Sequence, residues 1–113
     1  MEENKYELVL CVVNAGFSQN VMQAARAAGA QGGTTLRARG SANPEAEEFF
    51  NISIQSDKEM VMILVPKSIK DEVIRTVYKE AGLGKDAQGI IFSLPVNRFT
   101  TFKAKENGKE KGE

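Results

Sequence analysis

Six basic side chains stand where they could hold an anion. Arg37 and Arg39 share one face of the segment Gly32-Gly33-Thr34-Thr35-Leu36-Arg37-Ala38-Arg39-Gly40. Lys58, Lys85, Arg98 and Lys103 lie near the ends of apolar runs or in the segments between them. Glycine-bounded loops expose backbone N–H groups, and these, with arginine or lysine, suit a phosphate or a carboxylate. Solvated basic residues beside glycines are common as well, so this pattern alone names no ligand. Neither Gly32-Gly33 nor Gly82-Leu83-Gly84 carries the lysine-hydroxyl pair of a P-loop or the GxGxxG spacing of a dinucleotide fold.

Other chemistries are poorly supplied. The chain contains no histidine, which excludes Ser-His-Asp and Cys-His catalysis and every metal site built on imidazole. Cys11 is alone, inside the run Leu8-Val9-Leu10-Cys11-Val12-Val13, where burial makes a thiol inert and no disulfide framework exists. Glu45, Glu47 and Glu48 lack further ligands and read as a solvated loop face rather than a metal site. No carboxylate pair sits at the end of an apolar strand, so no catalytic residue is expected and the protein is read as a non-enzyme.

The charge balance narrows the partners. Fifteen Lys and Arg offset fifteen Asp and Glu, which argues against gripping a nucleic-acid backbone. Reading RNA on a sheet would need stacking aromatics, whereas Leu8–Val13 and Met60–Val65 offer aliphatic and sulfur side chains. No apolar run approaches the roughly 20 residues of a membrane span. The start, Met1-Glu2-Glu3-Asn4-Lys5, lacks the basic-then-apolar layout of a signal peptide. A cytoplasmic location is expected.

The elements that would position these residues are legible in outline. The length, 113 residues, suits one domain. Tyr6 to Val13 reads as a strand buried on both faces. Ser18 is expected to cap a helix whose Val21, Met22, Ala25 and Ala28 share a face, with Gly29 stopping it. Residues 32–40 form a glycine-bounded strand with Thr34, Leu36 and Ala38 on one face and Thr35, Arg37 and Arg39 on the other. Pro44 could open a short helical turn, and residues 52–55 alternate like a strand end. Met60–Val65 is a second apolar strand, ended by Pro66. A helix is expected from Ser68, with Asp71 and Glu72 in its first turn and Ile69, Val73, Val77 and Ala81 on one face. Gly89 opens the last strand, to Val96. From Lys103 the composition is too polar to fold.

The order is β-α-β-β-α-β, and two such halves make an α+β, ferredoxin-like βαββαβ sandwich: one antiparallel sheet with two helices on one face. The domain is expected to span 1–102, followed by a disordered charged tail, 103–113. This architecture leaves one sheet face bare. Since residues 6–13 and 60–65 are apolar on both faces, self-association through the sheet is expected.

Several strings in this order resemble the P-II family of nitrogen regulatory proteins and their PII-like relatives. They are Gly16-Phe17 leading into the first helix, Ala28-Gly29-Ala30-Gln31-Gly32-Gly33-Thr34, Arg39-Gly40, Ile63-Leu64-Val65-Pro66, and Gly89-Ile90-Ile91-Phe92-Ser93-Leu94-Pro95-Val96. The resemblance covers Tyr6 to Phe102. It implies a homotrimer with sheets packed at the centre, an adenine nucleotide (ADP, AMP or ATP) in the clefts between subunits, no required cofactor, and a flexible T-loop. It places that T-loop at about 41–57, where it docks on a membrane transporter or a metabolic enzyme in nitrogen or carbon metabolism. Carried over by position, Gly33, Thr34 and Thr35 would approach the base and Leu64 would floor it. Arg39 and Gly40 would sit at the T-loop's start, Lys58 at its other end, and Gly89 in the phosphate loop. Lys103 would stand for a phosphate-contacting arginine. Phe49 and Phe50 would be partner anchors on the T-loop.

The departures from the family pattern bear on the ligand. Ile90 stands where the family has a phosphate-binding lysine, and Thr101 where it has a second basic residue. Losing one charge-assisted phosphate bond removes about 1.5–3 kcal/mol. The 41–57 stretch holds no tyrosine to modify, and Ser41-Ala42-Asn43-Pro44 replaces the expected glutamine. The alternative expectation is a ferredoxin-like oligomeric regulatory module that binds an amino acid or another small anion, without nucleotide.

Overall fold

Six consecutive apolar residues, Leu8 to Val13, form the centre of β1 (Tyr6–Asn14), and a second such run forms the centre of β3 (Asp57–Pro66). The two strands pair antiparallel along their whole length, from Tyr6 opposite Pro66 to Asn14 opposite Lys58. Two edge strands flank them, β2 (Thr34–Arg39) beside β3 and β4 (Ile90–Val96) beside β1. The sheet order is therefore β2-β3-β1-β4, antiparallel throughout. This computed structural model describes residues 5–41 and 57–99. The expectations for 42–56, including Phe49 and Phe50, and for Lys103 and the 103–113 tail lie outside the described residues.

Both helices cover one face. Helix α1 (Ser18–Ala27) buries Val21, Ala24 and Ala25, and α2 (Lys70–Glu80) buries Val73 and Val77. They close over Val9, Cys11 and Val13 of β1 and Val61, Ile63 and Val65 of β3, all fully buried. Leu83 and Ala87 of the following loop complete this core. Each helix is followed by a left-handed glycine, Gly29 at φ +112° and Gly82 at φ +71°, a conformation that costs a side-chain-bearing residue most.

Two expected helix starts differ from what is found. Ser18 is the first helical residue rather than the cap; Phe17 holds the cap position and no side chain caps from there. The N–H groups at this end are satisfied from across the sheet instead, by Glu59. The second α-helix starts at Lys70, after a single 3₁₀ turn over Lys67–Ile69. Pro66, at φ −60° and ψ 143°, is still extended, and the chain turns tightly before α-helical geometry begins. Lys67 N–H donates to the Lys5 carbonyl at 2.8 Å, tying this corner to the start of β1.

The second face of the sheet is apolar too and, among the described residues, carries no helix. Register places Leu64, Leu8 and Leu94 in one row, Thr34, Met62, Leu10 and Phe92 in the next, and Leu36, Met60, Val12 and Ile90 in a third. Leu36, Leu64, Ile90, Phe92 and Leu94 are exposed in the protomer. The bare apolar face expected from the strand pattern is present.

Candidate functional site

The residues expected to bind ligand divide between the two ends of the sheet. At one end β1 finishes, β3 begins and β2 finishes, so that Ala38, Lys58 and Asn14 form a single row. Lys58 is half-buried. Its Nζ donates to Asn14 Oδ1 at 2.7 Å, and among the described residues no carboxylate forms an ion pair with it. Gly40 lies against its stem: a Cβ there would stand 3.1 Å from Lys58 Cε and 3.4 Å from Cγ. Lys58 and Gly40, the two margins of the 41–57 segment, are thus brought together.

Arg39 is not part of that group. It is opposite Asp57, one residue out of phase with Lys58, and successive residues of a strand face opposite ways. Its guanidinium lies 3.7 Å from the Asp57 carboxylate, with both side chains largely exposed. Exposed pairs of this kind contribute little.

Gly89 sits at this same end, just before β4. A Cβ there would come within 2.7 Å of Val13 Cγ1, 2.8 Å of the Val12 carbonyl and 2.9 Å of Leu83 Cγ. Its N–H donates to the Leu83 carbonyl at 2.9 Å. The glycine is thus required by packing of the loop on β1, whatever else the loop does. Ile90 next to it is 62 % exposed, on the bare face.

The opposite end holds Gly33, Thr34 and Leu64. A Cβ on Gly33 would meet the Met62 carbonyl at 2.8 Å, Met22 Sδ at 3.0 Å and Ile63 Cγ1 at 3.1 Å, so β2 can enter the sheet there only with glycine. Thr34 is opposite Met62 on the bare face, and Leu64 follows Met62 on that face by one row. Thr35 points to the other side. Lys58 and Leu64 are six residue steps apart along β3, about 20 Å at 3.3 Å per residue. Within one protomer the two groups cannot touch the same small molecule.

Two side chains that organise this end of the sheet escape a reading of the sequence. Asn14 has the look of a strand breaker; it is instead buried, with 6 % of its surface exposed. Its Nδ2 donates to the Asp86 carbonyl at 3.0 Å and its backbone N–H to the Ala87 carbonyl at 2.9 Å. Glu59 Oε1 accepts from the N–H groups of Gly16 and Ser18, each at 3.1 Å. Desolvation pushes the Glu59 carboxyl up, but the Ser18 hydroxyl, those two N–H groups and nearby Arg37 outweigh it and hold it below its ordinary value. Neither role has a local sequence signal, because each side-chain hydrogen bond spans at least 41 residues.

Cys11 is buried, and desolvation pushes its thiol up to about 12, far from nucleophilic thiolate. No group of three or more His, Cys, Asp or Glu is gathered for a metal among the described residues. No helix among them is long and apolar enough to cross a membrane.

The sequence matches the family model described as nitrogen regulatory protein P-II over residues 6–106. The chain belongs to the P-II family. A crystal structure of Arabidopsis thaliana PII bound to citrate superposes with a TM-score of 0.63 at 27 % identity, covering 84 % of this P-II chain and 78 % of the plant one. A functionally unknown protein from Pediococcus pentosaceus gives a TM-score of 0.62 at 17 % identity, covering 88 % of this chain and 99 % of that one, a likeness of fold alone. No curated protein matches. The ferredoxin-like βαββαβ order and the two-helix layer are those of the P-II fold.

Proposed function

We propose that this P-II protein senses a small anionic effector, an adenine nucleotide (ADP, AMP or ATP), at clefts between the subunits of a homotrimer. In this reading occupancy is passed through the 41–57 T-loop to a membrane transporter or a metabolic enzyme of nitrogen or carbon metabolism. The observation that carries it is the division of the ligand residues into two half-sites about 20 Å apart, both bordering a bare apolar sheet face. Packing that face against other copies removes it from water. It also sets Gly33, Thr34 and Leu64 of one subunit beside Lys58 and Gly40 of its neighbour, with Arg39, Thr35 and Gly89 at the margins. The protein acts in the cytoplasm, and its task is regulation rather than catalysis.

The test joins assembly to binding. Light scattering is expected to give three times the protomer mass, and calorimetry with ADP, AMP and ATP to give saturable heat that Lys58→Met removes. A monomer, or no heat with any adenine nucleotide at millimolar concentration, overturns this function. Incubation with ATP and magnesium is expected to release no phosphate.

A second reading, a non-nucleotide anion, is favoured by Ile90. Without a cation at this exposed position a polyphosphate loses one charge-assisted bond, worth about 1.5–3 kcal/mol, whereas a smaller carboxylate loses less. The plant PII relative is bound to citrate, and citrate titrated alongside the nucleotides separates the two readings.

A further inference from the structure

Two polar side chains are buried among the described residues, Glu7 and Asn14. Glu7 faces the Lys70 ammonium at 4.0 Å and is accounted for by the start of α2. Asn14 is different, because both halves of its carboxamide are engaged and on different elements. Oδ1 accepts from Lys58 of β3 at 2.7 Å, and Nδ2 donates to the Asp86 carbonyl in the loop before β4 at 3.0 Å. The adjoining backbone bond, Asn14 N–H to the Ala87 carbonyl, anchors the same loop.

We propose that Asn14 is a positioning residue for anion capture by Lys58, its carboxamide holding the ammonium in place and tying it to the loop that leads into Gly89. This rests on the reading of Lys58 as a ligand contact. A lysine ammonium has three N–H donors; Asn14 takes one and leaves two for a ligand. Because the acceptor is neutral, it fixes the side chain without cancelling its charge, as a carboxylate partner would. A lysine already held in one geometry has less rotamer freedom to lose when an anion arrives. The carboxamide cannot follow Lys58 toward a ligand without straining its bond to Asp86, so the position of Lys58 and the seating of residues 82–88 are coupled.

The experiment uses the full chain, titrated separately with ADP and with citrate, as wild type, Asn14→Ala, Lys58→Met and the double variant. Asn14→Ala is expected to weaken whichever probe binds by about tenfold, the value of one hydrogen bond, and to have no further effect once Lys58 is methionine. The Asn14 side-chain amide resonances are expected to move on titration of the wild type and to stay still in Lys58→Met. An equal loss in both backgrounds means a merely structural role and overturns the proposal, as does wild-type affinity in Asn14→Ala. If Lys58→Met itself binds like wild type, the reading of Lys58 as a ligand contact fails and the proposal with it. Should Asn14→Ala not fold, the near-isosteric Asn14→Asp substitutes. Its carboxylate would neutralise Lys58 and weaken binding at least tenfold, and unchanged affinity overturns the proposal.

Discussion

The two faces of β1 and β3 are built from the same kinds of side chain and have different fates. Val9, Cys11, Val13, Val61, Ile63 and Val65 are sealed under two helices, while Leu8, Leu10, Val12, Met60, Met62 and Leu64 alternate with them on a face that no helix of the described residues covers. Burial is therefore decided by the layer opposite and not by residue type. The difference teaches that the sheet carries more apolar surface than its two described helices cover. Leu36, Phe92 and Leu94 on the flanking strands widen the bare patch, which is the kind of surface that marks an interface.

Charge placed on each face separates the two fates most sharply. Val61→Asp would bury an unpaired carboxylate under α1, at a cost of at least about 4 kcal/mol, and is expected to abolish the cooperative thermal transition. Leu10→Asp lies one residue out of phase with the sealed set, between Met62 and Phe92. It is expected to leave the circular dichroism spectrum of the protomer intact while reducing the mass seen by light scattering. If Leu10→Asp unfolds the chain outright, or leaves the oligomer whole, the two faces do not differ as described.

A smaller effect distinguishes glycines that packing requires from those it does not. Gly89→Ala would thrust a methyl into the Val12 carbonyl, Val13 and Leu83, all closer than 3.0 Å. Overpacking of this kind costs about 1–3 kcal/mol. Gly32, where a Cβ would meet nothing within 4 Å, is expected to accept alanine with little change. Chemical denaturation of both variants checks the contrast. Parallel titration with ADP then shows whether Gly89→Ala also weakens binding beyond its effect on stability.

What could be read from the sequence follows the range of the interactions. The element order, the doubly apolar central strands and the buried faces of both helices were legible, because periodicity and glycine placement are local signals. The helix starts were less so. Ser18 has the composition of a cap, but the acceptor at that end is supplied by Glu59 from β3, and nothing around residue 59 announces it. Asn14 reads locally as the end of a strand, and its importance comes from Lys58 and Asp86. Within the candidate site, Lys58 and Gly40 do meet, while strand parity separates Arg39 from Lys58 and Thr35 from Thr34. Family resemblance assigned those residues by position, and alternation along β2 decides which of them share a face.

The smallest predicted effect compares neighbours on opposite faces, Lys58 and Glu59. Lys58 is held by Asn14 with donors to spare, whereas Glu59 is committed to the start of α1 through Gly16 and Ser18. Replacing Glu59 by glutamine keeps an acceptor there but removes the negative charge from the helix's positive end, and is expected to cost about 1 kcal/mol. The sign of the pH dependence follows from the direction of the shift. The Glu59 carboxyl is held below its ordinary value in the folded protein, so its contribution is full above the unfolded value, near ~4.3. That contribution is lost as pH falls through the lower folded value. The melting temperatures of wild type and Glu59→Gln should therefore differ most near neutral pH and converge as the pH falls below the unfolded value. Using the difference between the two proteins removes what the other carboxylates contribute to acid unfolding. A gap that stays constant with pH would mean that Glu59 acts on the start of α1 through its shape and not its charge.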